Sequence, residues 1–197
     1  METQMLDLGP VAHEVARVAA AVGDERLGDP TPCPDYVVRD LLAHVVGLSA
    51  AFRDAARKDL GANTATDPGS AALVLADDWR TALPRRLDEL VEAWRDPAAW
   101  EGDTQAGGVD LPAAVAGQVA LNELLVHGWD LARATGQEYR ITDRAALESS
   151  RTLLAPDPDD PDRGGIFAPV VPVPDDAPLL DRVIGLSGRR PDWEPGR

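Results

Sequence analysis

The stretch "NELLVHGWDLARATGQ", residues 122–137, decides how this chain is read. It is long, largely apolar and free of proline, and Gly136 stands where a helix favours a C-terminal glycine. Glu123, His127 and Asp130 recur at intervals of four and three, so they share one face of that helix. At about 100° per residue, Gln118, Asn122, Trp129 and Arg133 fall in one sector, which their polar members mark as the solvent side. His127 lies roughly 150° from that sector by the same geometry. It shares its side with Val119, Ala120, Leu131 and Ala134, while Glu123 and Asp130 flank it nearer the boundary. An imidazole is therefore expected to point inward and to take a carboxylate with it.

An earlier helix repeats the pattern. In "YVVRDLLAHVVGLSAAFRDAARK", residues 36–58, the charged set Arg39, Asp40, Arg53, Asp54, Arg57 and Lys58 marks the wet side. His44 sits among Leu41, Leu48, Ala51, Phe52 and Ala55 on the dry side. An unpartnered buried polar group costs on the order of 1–3 kcal/mol, and an unpaired carboxylate more. A divalent cation would satisfy all three groups at once. Two histidines, one carboxylate and an open position form a known catalytic zinc set, and the same donors suit other first-row metals. Plainer readings stay open. Each histidine can be a core residue bonded to a carbonyl, and Glu123 with His127 can be a simple i, i+4 pair. Asp130 either orients a ligand or pairs at the boundary with Arg133 or another arginine. His13 has no evident partner and reads as a bystander. Cys33, between Pro32 and Pro34, reads as a buried inert thiol with no basic group beside it, and Asp35 as a helix cap.

Outward from these two segments, helical periodicity predicts a first helix from about Leu6 to Val22, closed off by Gly28, Pro30, Pro32 and Pro34. Residues 61–69 read as a polar loop. A third helix covers residues 71–94, with Pro84 expected to kink or break it. Trp100 to Val109 suits a short hairpin or an irregular loop, after which Pro112 opens the fourth helix. A shorter helix spans 143–155. From Pro156 proline dominates, and Ile166, Phe167, Val170, Val171 and Val173 suggest an extended arm packed on the helices, before a last short helix in 179–190. The expected fold is all-α: an antiparallel four-helix bundle in residues 1–155 carrying the metal site, with a short hairpin or loop insertion, and a proline-rich arm in 156–197.

Composition excludes several classes. A formal net charge of −15 repels nucleic acids and anionic membranes, and no basic cluster offsets it. No apolar run has the length of a membrane span, and residues 1–18 lack the pattern of a secretory signal. A single cysteine forbids an internal disulfide and points to a reduced, cytoplasmic compartment. No nucleophile triad, phosphate loop or dinucleotide fingerprint is present.

The segments "TPCPDYVVRDLLAHVVG", residues 31–47, and "NELLVHGWDLARATGQ" together resemble two signatures of an actinobacterial metal-binding family. That family is similar to the N-terminal domain of mycothiol-dependent maleylpyruvate isomerase, within the DinB-like superfamily of four-helix metalloproteins. "FAPVVPVPDDAPLLDRVIGLSGRRPDW" is similar to the family's tail. The resemblance implies a divalent metal, zinc or nickel, held by His44, Glu123 and His127. It further implies a low-molecular-weight thiol of the mycothiol type, acting on a small electrophile in a transfer or an isomerisation; by its place on the helix, Asp130 is the candidate to aid from behind the ligands. The rival reading is a non-catalytic bundle that binds a metal or small ligand. The surface is compatible with a homodimer. There are two departures. The family's helix start reads Asp-Trp-Ser/Thr-Val where this chain has Asp35-Tyr36-Val37-Val38, so a hydroxyl cap is lost at Val37. The isomerase is also expected to carry a separate C-terminal domain that this chain lacks.

Overall fold

The computed structural model describes residues 5–66, 73–156 and 168–195. Among them are seven α-helices and one two-stranded sheet: α1 Gly9–Ala20, α2 Val38–Arg57, α3 Ala62–Ala65, α4 Trp79–Trp94, β1 Asp103–Ala106, β2 Val109–Pro112, α5 Ala113–Ala134, α6 Arg144–Leu153 and α7 Leu179–Leu186. The all-α expectation holds. No described helix is long and apolar enough to cross a membrane.

The four longest helices are neighbours in a ring. α1 packs on α4 and α5, and α2 packs on the same two. Each contributes leucines or valines at helical spacing, and Leu41, Leu42, Leu87, Leu90, Leu121 and Leu124 lose almost all contact with solvent. Burying such a side chain contributes about 1.5–3 kcal/mol, which is what holds the helices against one another. α5 ends as its sequence predicts. Gly136 takes φ +69°, its N–H reaches Arg133 O, and Gln137 N–H reaches Ala132 O, closing a Schellman motif.

A hairpin sets the two histidine-bearing helices level. Gly107 and Gly108 both have positive φ, the two-residue turn that suits the strands' twist, and Asp103 pairs with Pro112 at the far end. Thr104 Oγ1 then donates to Ala55 O at 2.6 Å, fastening the last turn of α2 beside the start of α5. His44 lies about three turns before that junction and Glu123 about three turns after it.

Several expectations need correction. The third long helix begins only at Trp79, with residues 73–76 outside any helix and 71–72 outside the described residues. Pro84 sits on its exposed face and the helix continues through it. Within the expected loop at 61–69, residues 62–65 form the one-turn helix α3. Asp35 does not cap α2. Val37 occupies that position, and Asp40 supplies half of a capping box by accepting from Val37 N–H at 3.4 Å. The supposed solvent sector of α5 is covered, since Asn122 and Trp129 are only 3% and 4% exposed. α6 packs on α5, and Arg133 reaches from the end of α5 to Pro191 O in the C-terminal stretch. Ile166 and Phe167 lie outside the described residues, but Val171 N–H bonds Gly185 O at 2.9 Å, so this part of the arm docks on α7.

Trp94 and Trp100 stack edge to face at 4.9 Å, donating their indole N–H groups to Phe52 O and Trp94 O. Gly117 lets α5 lie against this pair, for a Cβ there would sit 2.6 Å from Trp100 Cζ3 and 2.8 Å from Trp94 Cζ3. In an open helix, replacing glycine by alanine gains up to about 1 kcal/mol. Here overpacking of a rigid indole pair wins, and Gly117→Ala is expected to destabilise the fold by about 1–3 kcal/mol in urea unfolding. A gain in stability would show that the tryptophans have room to move.

Candidate metal centre

α2 delivers His44 and α5 delivers Glu123 and His127 to one interior point. His44 Nε2 lies 3.4 Å from Glu123 Oε2, and His127 Nε2 lies 3.3 Å from the same oxygen. One donor atom from each of the three residues falls within 4.8 Å of the others. The imidazole rings meet edge to face with centroids 4.8 Å apart. Both histidines are buried, at 8% and 7% exposure, whereas the Glu123 side chain keeps 27% and gives the point its opening to solvent.

Behind this set stands a second carboxylate. Asp130 has no exposure, and its Oδ2 lies 3.1 Å from His127 Nδ1. That contact occupies one ring nitrogen and leaves Nε2 turned toward Glu123. Arg189, from the chain after α7, grips Asp130 with Nε to Oδ1 at 3.3 Å and a terminal nitrogen to Oδ2 at 3.1 Å. Its approach is set by local backbone: Gly188 takes φ +85°, Gly188 N–H bonds Gly185 O and Arg189 N–H bonds Ile184 O, so α7 ends in a Schellman motif that turns Arg189 back. The partner of Asp130 is thus Arg189 and not Arg133. Tyr36 completes the surroundings, its ring centroid 5.3 Å from that of His44 and 6.4 Å from that of His127.

The electrostatics follow from this crowding. Burial by itself would raise the Glu123 carboxyl, but hydrogen bonds from His127 and His44 outweigh it and hold the group well below the usual carboxylate range. Burial disfavours a charged His127, yet its bonds to Asp130 and Glu123 prevail and push it up to about 9. Without a metal, a proton on His127 supplies the positive charge that two carboxylates demand.

The donors fit an ion. Two atoms bound to one tetrahedral ion at zinc–nitrogen and zinc–oxygen lengths stand about 3.3–3.4 Å apart, which is the spacing of Glu123 Oε2 from each histidine nitrogen. The set could therefore hold a divalent cation with little rearrangement. Other sequence candidates stay outside it. His13 is exposed on α1, at a cleft it shares with Glu14, Arg17 and Arg140. Cys33 is buried as expected and burial pushes its thiol up, but a basic group does stand near it, because the Arg189 charge opposes part of that rise. Arg189 and Tyr36 are the neighbours that sequence reasoning missed. Tyr36 was legible as the residue just ahead of α2, whereas no local spacing signals Arg189.

Two outcomes follow from this geometry. A histidine raised from 6.5 to about 9 contributes stability that is complete below pH 6.5 and is lost as pH climbs to 9. The thermal midpoint of metal-free protein is expected to fall across that window and His127→Gln to flatten the slope; a flat wild-type profile contradicts the shift. Arg189→Ala leaves a carboxylate of zero exposure without its arginine and is expected to cost about 3 kcal/mol in urea unfolding. A loss below about 0.5 kcal/mol, the ordinary surface value, would show that the contact is not a clamp.

Comparison with known proteins adds a family. The family model described as "Mycothiol maleylpyruvate isomerase N-terminal domain" matches residues 8–132, more than half of the chain. Two relatives, each called an uncharacterized protein of Mycobacterium tuberculosis, from strains CDC 1551 and H37Rv, are 32% identical over 200 residues, covering 91% of this chain and 96% of theirs. Among solved structures, the mycothiol-dependent maleylpyruvate isomerase superposes with a TM-score of 0.65 at 16% identity, over 94% of this chain and 89% of that one. A histidine-to-alanine mutant of the isomerase gives 0.61 at 15% identity, over 93% and 88%. These superpositions speak to the fold alone. The match over residues 8–132 takes in both histidine-bearing helices, and this chain belongs to the mycothiol maleylpyruvate isomerase N-terminal domain family.

Proposed function

We propose that this protein is a metal-dependent enzyme that activates a low-molecular-weight thiol of the mycothiol type against a small electrophile, in a transfer or an isomerisation. We read α1, α2, α4 and α5 as an antiparallel, DinB-like four-helix bundle on which residues 156–197 form an arm. His44, Glu123 and His127 would hold the ion, zinc by preference with nickel as the alternative. The observation that carries the reading is the convergence of two imidazole nitrogens on one carboxylate oxygen at 3.4 and 3.3 Å.

When bound, the metal supplies a Lewis-acidic position at which a thiol is deprotonated to the nucleophilic thiolate. The rest falls to side chains. Asp130 accepts from His127 Nδ1–H, fixing the tautomer and the ring so that Nε2 faces inward. Arg189 pairs with Asp130 through two nitrogens and holds it still. Glu123 brings one negative charge, which softens the ion without cancelling it, and its partial exposure leaves a way in for small molecules. In an isomerisation, sulfur would add to a carbon of the substrate's double bond as electrons move onto a conjugated carbonyl. Rotation follows, and the same S–C bond breaks to return the thiolate. In a transfer that bond remains and a proton ends on the product.

Protein purified without a histidine tag is expected to carry about one zinc per chain, and His44→Ala and His127→Ala to lose it. Chelation is expected to lower the melting temperature of the wild type alone, since an ion bound only by the folded state stabilises it. Mycothiol consumption or recycling against maleylpyruvate and related electrophiles should vanish with the metal. Equal metal content in the wild type and both variants would end this reading.

A further inference from the structure

Tyr36 has no part in holding the donor set, yet it is the aromatic side chain laid against both of its imidazoles, at centroid separations of 5.3 and 6.4 Å. Its place is fixed by the loop before α2. Tyr36 N–H bonds Cys33 O at 3.1 Å, Thr31 Oγ1 donates to Tyr36 O at 2.8 Å, and Pro30 bridges to Val37. The side chain is half-buried. Among the described residues its hydroxyl has no hydrogen-bond partner, whereas Tyr139, the other tyrosine, donates to Leu124 O at 3.4 Å. A half-buried phenol normally finds an acceptor, so one that lacks it beside a reactive centre is a donor in waiting.

The other donors nearby are committed. Arg189 spends Nε and one terminal nitrogen on Asp130 and the other on Ser187 O, and the outer nitrogen of His127 is held by Asp130. A cation held by these three residues would have a coordination position left for a co-substrate. A ligand placed there needs a neutral donor, because a further arginine or lysine would compete with it for Glu123. From these facts we infer that Tyr36 binds the thiol co-substrate: its O–H donates to the sulfur of a small thiolate seated at the centre, while its ring walls the same position. This rests on the thiol reading above and adds to it a residue that the metal does not require.

The test uses the full chain loaded with zinc, with mycothiol as probe, titrated by calorimetry. Tyr36→Phe keeps the ring and removes only the donor. It is expected to hold zinc within about twofold of the wild type and to bind mycothiol about tenfold or more weakly, the ordinary weight of a hydrogen bond to a charged sulfur. Equal mycothiol affinity in the two proteins overturns the inference and leaves the thiol reading intact. A parallel loss of zinc affinity in Tyr36→Phe overturns it as well, because the hydroxyl would then be serving the metal. Zinc-loaded wild type that binds no mycothiol defeats the thiol reading itself.

Discussion

A carboxylate with zero exposure requires positive charge from within the protein, and much of this structure is arranged around that demand. Asp130 receives it from two directions, from His127 on its own helix and from Arg189 on the C-terminal stretch. Removing an ion from water costs several kcal/mol, so neither contact is optional. Through the first, Asp130 determines which nitrogen of His127 is free. Through the second, it ties the C-terminal stretch to the last turns of α5. The same pair of bonds joins the chemistry to the architecture.

The interior point next to it obeys the same rule. Glu123 and Asp130 put two negative charges around His127, and a cation must answer them. A proton on the imidazole does so in the absence of metal, and a divalent ion held by the same donors would do so in its place. On the proposed reading, metal binding would meet the same electrostatic need, with an ion at His127 Nε2 replacing the proton there.

His44, Glu123 and His127 were legible because a helical wheel compares residues within one helix, and inward polar groups stand out against leucine and alanine. Gly136 and the hairpin were legible for a similar reason: positive φ has a residue signature. What the wheel cannot supply is the identity of the neighbour. Asn122 and Trp129 look like a wet face until α6 covers them, and Trp129 also carries the guanidinium of Arg133 over its ring at 5.5 Å. Arg189 is 59 residues from Asp130, and no periodicity spans such a gap. The late start of α4 has a related cause: residues 73–76 have helical composition, but Leu75 packs on the core while Val74 is left 79% exposed.

The separation of Asp130 from Arg189 also has a temporal side. Synthesis proceeds at about 5–20 residues per second, so some 3–12 s pass between the making of the carboxylate and the making of its arginine. Throughout that interval a nascent chain owns both histidines, Glu123 and Asp130 but has no guanidinium to close them in. The C-terminal turn of α5 is left without the contact that fixes Asp130 to the chain after α7. Translation order therefore leaves Asp130 to His127 alone at first, and the making of Arg189 completes its pairing.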